Sequence, residues 1–230
     1  NISLLESEGI KTELYSNNFL KVLSNDSKIL SSKLFKNGSI SIQSPSAAAI
    51  VDCLGIEKGD VVLDVCAAPG TKTLQLANSV GVDGFVYASD LSSDRVSLGK
   101  KDEERHRKKN IKWSLKDARK DAYFIADKIL IDAPCSGTGV IGRRTDIRWR
   151  RRENDLKKFA NVQLSIINNC SKYLKIGGAL VYATCSIEPE ENFMVVDKFL
   201  NLNSNFIVDK IPNNVPKQWV NDNNALYVFP

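Results

Sequence analysis

The stretch Val61-Val62-Leu63-Asp64-Val65-Cys66-Ala67-Ala68-Pro69-Gly70-Thr71-Lys72-Thr73 decides the fold. Five residues of strand character run into a turn of small residues and glycine, and a helical pattern follows. Strand, turn and helix in that order form the opening unit of a parallel sheet, whose strands are apolar throughout because helices cover both faces. Four more short apolar runs follow: Phe85 to Ala88, Ile111 to Leu115, Ile129 to Ile131 and Ala179 to Ala183. Before the last of them, Leu156, Phe159, Ala160, Gln163, Ile167, Cys170 and Leu174 recur at three and four residues, which predicts an amphipathic helix facing the sheet. The fold class is α/β, a mostly parallel, doubly wound sheet.

Ligands of such sheets bind beyond the carboxyl ends of the strands, so the residues after each run are the ones to inspect. Cys66, Ala67, Ala68, Pro69, Gly70, Thr71 and Lys72 let a backbone approach a ligand closely, and the helix start offers unpaired N–H groups. A nucleoside-bearing ligand fits there. The glycine spacing is neither the dinucleotide fingerprint nor a phosphate loop, which weighs against a nicotinamide-dependent oxidoreductase. The second run ends in Ser89-Asp90, an acid placed to accept hydrogen bonds from a ribose diol. Asp117 after the third run reads either as a partner for an adenine amino group or as an ordinary turn residue. The fourth run opens into Asp132-Ala133-Pro134-Cys135-Ser136-Gly137-Thr138-Gly139, and the fifth into Thr184-Cys185-Ser186-Ile187-Glu188-Pro189-Glu190-Glu191-Asn192. Two cysteines thus emerge from two strand ends on one edge of the sheet, whereas Cys53 and Cys170 read as ordinary buried thiols. Pro189 marks an expected helix start whose dipole favours a thiolate at Cys185, opposed by Glu188, Glu190 and Glu191.

With 230 residues, 43% of them apolar, the chain can bury one substantial core and carry an appendage. Residues 1–44, rich in Ser, Asn and Lys, read as a small N-terminal accessory subdomain, and 45–230 as the catalytic domain. The first residue is Asn rather than Met, and nothing about full length follows from it. No apolar run approaches the roughly 20 residues needed to cross a bilayer, and no secretory leader pattern is present, so no membrane partner is expected. Five cysteines, an odd number with no Cys-x-x-Cys pair, point to reduced thiols in a cytoplasmic setting. The single histidine, His106, lies in a charged run and reads as solvated; no spacing suits a metal. The net charge of +5 is unevenly spread. Arg143, Arg144, Arg148, Arg150, Arg151, Arg152, Lys157 and Lys158 stand against Asp146, Glu153 and Asp155. Such a stripe can neutralise phosphates, and Trp149 within it can stack on a base.

The set CAAPGTK, DAPCSGTG, DIRW and YATCSIEPEEN resembles the RNA 5-methylcytosine methyltransferases of the RsmB/Nol/Nop/Sun family, above all its bacterial RsmB branch acting on small-subunit ribosomal RNA. The likeness runs from about Gln43 to Phe199. It implies a Rossmann-like fold, S-adenosylmethionine as cofactor and RNA as partner. It implies further that Cys66 to Lys72, Asp90, Asp117 and Asp132 line the cofactor pocket, that Cys185 is the nucleophile, and that Cys135 helps release product. Thr71 departs from a second glycine usual in the family, and Thr145 from a His-Pro pair. Related proteins often carry an RNA-binding domain upstream and continue with a further strand downstream. A non-catalytic RNA-binding assembly factor of the same fold is the competing reading, and the intact Cys135, Cys185 and Asp132 weigh against it.

Overall fold

The computed structural model describes residues 2–16 and 19–228, so Asn1, Asn17, Asn18, Phe229 and Pro230 lie outside the described residues. In chain order the elements begin with α1 (Ile2–Ser7), the antiparallel pair β1 (Lys11–Ser16) and β2 (Phe19–Ser24), α2 (Lys33–Lys36) and α3 (Pro45–Asp52). There follow β3 (Val61–Val65), α4 (Thr71–Val80), β4 (Phe85–Asp90), α5 (Ser93–Arg105), β5 (Ile111–Leu115) and β6 (Ala126–Asp132). The chain continues through α6 (Ile147–Arg150), α7 (Glu153–Cys170), β7 (Leu174–Ala183) and α8 (Phe193–Leu202). Strands β3 to β7 form one sheet in the order β5-β4-β3-β6-β7, parallel at every pairing. The winding runs outward from β3 to β5 and then returns to β6 on the other side of β3. That reversal puts the topological switch point between β3 and β6, where such sheets place ligands.

Alternation along the strands sends neighbouring side chains to opposite faces. Val62, Val86, Ala88 and Leu130 pack with Val51 of α3, Leu74, Leu76, Ala77 and Val80 of α4 and Val96 of α5. Leu63, Val65, Ile129 and Ile131 pack on the other face with Ile166, Ile167 and Cys170 of α7 and Val195 and Phe199 of α8. Both faces are therefore dry, which is why these strands read as unbroken apolar runs. Helix starts follow local chemistry: Ser44 caps α3 by accepting from the Ala47 N–H, with Pro45 in the first helical position, and Ser92 caps α5.

The strands differ from the sequence expectation at their ends. Asp90 and Asp132 are the last residues of β4 and β6 rather than the first of the following loops. Leu174 opens β7 instead of completing the apolar face of α7, which ends at Cys170. Ala126 pairs with Leu174 but Lys128 with Ala179, so Lys175 to Gly178 bulge out of register. Gly177 takes a positive φ of 79° there and Ile176 stands fully exposed. Beyond α8, a 3₁₀ turn at Lys217–Trp219 and a bridge between Val220 and Leu226 are formed. No strand of that segment joins the main sheet among the described residues, so β7 is its rim.

At the start of the chain, Leu5, Ile10, Ile29 and Leu34 form a small buried cluster with Leu20, Val22 and Ile40 beside it. Arg105, at the end of α5, reaches this segment: it donates to the carbonyls of Phe35 and Ile40, and its guanidinium lies 4.0 Å from the Phe35 ring centre. His106 is correspondingly half-buried rather than solvated, with Nε2 2.8 Å from the Arg105 guanidinium. Burial, then the Arg105 charge, lowers its pKa. No helix among the described residues is long and apolar enough to cross a membrane.

Candidate active site

The loop after β3 turns sharply, with Cys66 at a φ of 62° and Gly70 at 109°. A side chain at Gly70 would meet the Trp113 ring at 3.0 Å, so the close approach as well as the backbone angle demands glycine. No side chain caps α4 at Gly70, which leaves first-turn N–H groups of a ten-residue helix for a ligand. Asp90 is buried and braces this loop: Oδ2 accepts from the Ala68 N–H at 3.2 Å and Oδ1 from the Ser92 N–H at 3.0 Å. Arg95, which the sequence reading missed, sits 3.4 Å from Asp90 and also donates to the Ala68 carbonyl. Cys66 is pushed up in pKa chiefly by burial.

Asp117 lies after β5, at the far side of the sheet from the cysteines. Its carboxylate is held by Arg119 in a two-point pair of 2.8 and 2.7 Å, and these hydrogen bonds keep its pKa at about 2. An adenine amino group there would have to share oxygens already engaged. Lys72 points instead toward the middle of the edge, where its Nζ is 2.8 Å from Asp132 Oδ2. That ion pair joins the loop after β3 to the tip of β6 across the switch point. Beneath it, Asp64 is buried and its pKa is raised to about 7, above all by loss of water, despite a 2.6 Å bond from the Thr73 hydroxyl. Asp64 Oδ1 has no partner among the described residues.

The two cysteines expected at strand ends do meet. Cys135 Sγ and Cys185 Sγ are 2.9 Å apart, and the Cys185 N–H donates to Cys135 Sγ at 3.2 Å. Cys185 is exposed and Cys135 half-buried, both as free thiols. The sulfur contact lowers the pKa of Cys185, against burial and the nearby charges of Asp132 and Glu191, and raises that of Cys135. The two thiols are therefore shifted in opposite directions, and either sulfur can be the donor in their contact. The helix dipole expected to assist is missing: Pro189–Glu191 is a single 3₁₀ turn and α8 starts only at Phe193. Burial raises Cys53 to about 11 and Cys170 to about 12, in line with inert packing thiols.

A hydrogen-bonded shell lies behind the pair and was not anticipated. Ser136 and Ser186, each following a cysteine, have hydroxyls 3.2 Å apart. The Gly139 N–H donates to the Cys185 carbonyl at 3.0 Å, and Asn192 Nδ2 to the carbonyls of Ser186 and Glu188. Outside, Arg143, Arg144, Arg148, Arg150 and Arg152 are exposed, Trp149 is 90% exposed, and Ile147 alone is buried to anchor α6. Arg151 Nε donates to the Ser136 carbonyl at 2.9 Å, linking this basic rim to the Cys135 loop. No group of three or more His, Cys, Asp or Glu residues suited to a metal occurs among the described residues.

The "Probable ribosomal RNA small subunit methyltransferase B" of Bacillus subtilis is 36% identical over 185 residues, which are 79% of this chain and 41% of that protein. The "Ribosomal RNA small subunit methyltransferase B" of Serratia proteamaculans is 40% identical over 170 residues, 72% of this chain and 39% of that protein. The chain thus spans about two fifths of the length of these curated relatives. Among solved structures, PH0851 superposes with a TM-score of 0.85 at 33% identity, covering 93% of this chain and 49% of that one. NSun6 from Pyrococcus horikoshii, solved with SFG, gives 0.73 at 31% identity, covering 80% and 47%. The family described as 16S rRNA methyltransferase RsmB/F matches residues 51–230, and the chain belongs to that family.

Proposed function

We propose that this chain is the catalytic part of an RNA (cytosine-C5)-methyltransferase that uses S-adenosylmethionine, acts on small-subunit ribosomal RNA in the cytoplasm, and works through a covalent bond between Cys185 and C6 of cytosine. Family membership supports the donor and the RNA. The observation that carries the chemistry is the 2.9 Å contact between two free thiols on adjacent strand tips, beside the Asp132 to Lys72 ion pair. In this reading Cys66 to Lys72 and Asp90 hold the donor, Asp117 stands at the far side of the same pocket, and residues 1–44 form an accessory subdomain. The uncapped start of α4 suits such a donor. Bound there, it supplies an electrophilic methyl group.

Carbon 5 of cytosine is a weak nucleophile, and addition of a thiolate at C6 makes it an enamine carbon able to attack. Cys185, exposed and lowered in pKa by its neighbour, is the thiol suited to that addition. Asp132, fixed by Lys72, is placed to hydrogen-bond the base edge. After transfer a water molecule takes the C5 proton, the C–H electron pair re-forms the C5–C6 double bond, the C6–S bond breaks with its pair leaving on Cys185 as thiolate, and Cys135 assists this elimination. The target base has to be unpaired or flipped, at a cost of a few kcal/mol when it starts stacked. Labelled donor with ribosomal RNA and the chain, followed by bisulfite mapping, tests the proposal. A new protected cytidine is expected; methylation at a base other than cytosine would refute it.

A further inference from the structure

Glu191 takes no part in the reaction as described, yet its side chain is entirely removed from solvent. A carboxylate in that position must be met by donors. Three reach it, all from other elements. Ser136 supplies its N–H to Oε1 at 2.9 Å and its hydroxyl to Oε2, and Gln163 of α7 supplies Nε2 to Oε1 at 2.9 Å. Gln163 Nε2 also donates to the Pro134 carbonyl at 2.9 Å, so the residues on both sides of Cys135 are gripped from behind. The backbone of Glu191 is tied to β7, since the Tyr182 hydroxyl donates to its carbonyl at 2.6 Å, three residues before Cys185. Ser136 in turn meets Ser186, the residue after Cys185.

We propose that Glu191 is a positioning residue for the cysteine pair, its carboxylate gripping Ser136 so that Cys135 Sγ stays within hydrogen-bonding reach of Cys185 Sγ. The inference rests on Cys185 being the attacking thiol. The geometry gives the reason for a buried charge here: one anion with two oxygens can accept from the loop of β6 and from α7 together, which no single apolar residue can do. A hydrogen bond to Cys185 as thiolate depends on where Cys135 is held, and the lowered pKa of Cys185 agrees with that dependence.

The test is the pH dependence of Cys185 alkylation by iodoacetamide, resolved by peptide mass spectrometry on the chain without RNA or donor. Wild type, Glu191→Met, Glu191→Gln and Cys135→Ala are compared. In Glu191→Met the midpoint is expected to rise by about one pH unit, toward that of Cys135→Ala, which has no donor at that position. Glu191→Gln, which keeps an acceptor for Ser136 and Gln163, is expected to stay near wild type. Turnover in Glu191→Met is expected to fall roughly 100-fold with donor affinity and KM for RNA unchanged, as for an Å-scale misplacement. An unchanged midpoint in folded Glu191→Met overturns the proposal. Should that variant not fold, Ser136→Ala deletes one donor at little change in volume, and an unchanged midpoint there overturns it equally. The alkylation readout needs no methyl transfer, so turnover surviving in Cys185→Ala would defeat the reaction reading separately.

Discussion

A sulfur atom that attacks and later leaves needs a partner that gives it a proton at the right moment, and in the proposed reaction the 2.9 Å contact between Cys135 and Cys185 serves that need. Cys185→Ala is expected to abolish turnover while donor affinity, measured by titration calorimetry, stays at the wild-type value. Cys135→Ser is expected to attack but fail to release, and to leave a protein–RNA adduct that survives a denaturing gel. Asp64 makes a different prediction. Its pKa is raised to about 7, so the folded state holds a proton that the unfolded chain loses near its ordinary range. Its contribution to stability is present in acid and is lost as pH rises from about 4 to about 7, at up to about 1.4 kcal/mol per pH unit. Asp64→Asn, which keeps the Thr73 bond, is expected to gain on wild type over that window, and urea melts from pH 4 to 8 check it. The cysteines and Asp132 were legible because strand ends in a parallel sheet point at the ligand edge. Glu191 was not, since in sequence it is one of three acids, and its burial depends on Gln163, 28 residues away.

At the scale of elements, the basic stripe acquires a shape that charge counting could not supply. Ile147 packs under the Gly137 turn, where an added side chain would lie 2.8 Å from it, and this turns Trp149 outward. Trp149→Ala is expected to weaken RNA binding by roughly 1–3 kcal/mol while leaving its salt dependence unchanged, as loss of one stacked base would. Arg148→Ala is expected to reduce the slope of log K against log salt by about 0.7 for one lost phosphate contact to a single strand. Fluorescence anisotropy at several salt concentrations separates the two. The strand interiors were readable because apolar runs with no alternation mark a sheet covered on both sides. The start of β7 was not readable, because its first pairing is local to Ala126 and the bulge that follows depends on the register of β6. The helix expected at Pro189 shrank to one turn because Glu191 is pulled inward by Ser136 and Gln163, and Asn192 takes a conformation that breaks the helix before Phe193.

Taken whole, the molecule sets the loop after β3 and the two thiols on opposite sides of one topological reversal, with Lys72 and Asp132 bridging the gap. The doubly wound, mostly parallel class could be anticipated from apolar runs and loops alone, whereas the order of the strands comes from the structure. The attachment of the first forty residues could not be anticipated either, because its contacts run through Arg105, one basic residue among many in its stretch, and through the close fit of Gly38 against the backbone of Arg105 and His106. Released by Arg105→Ala, the leading segment is expected to become cleavable by trypsin well before the sheet melts, and limited proteolysis alongside a thermal scan would show whether the two events separate. One side chain would then set how much of this protein moves as a single body.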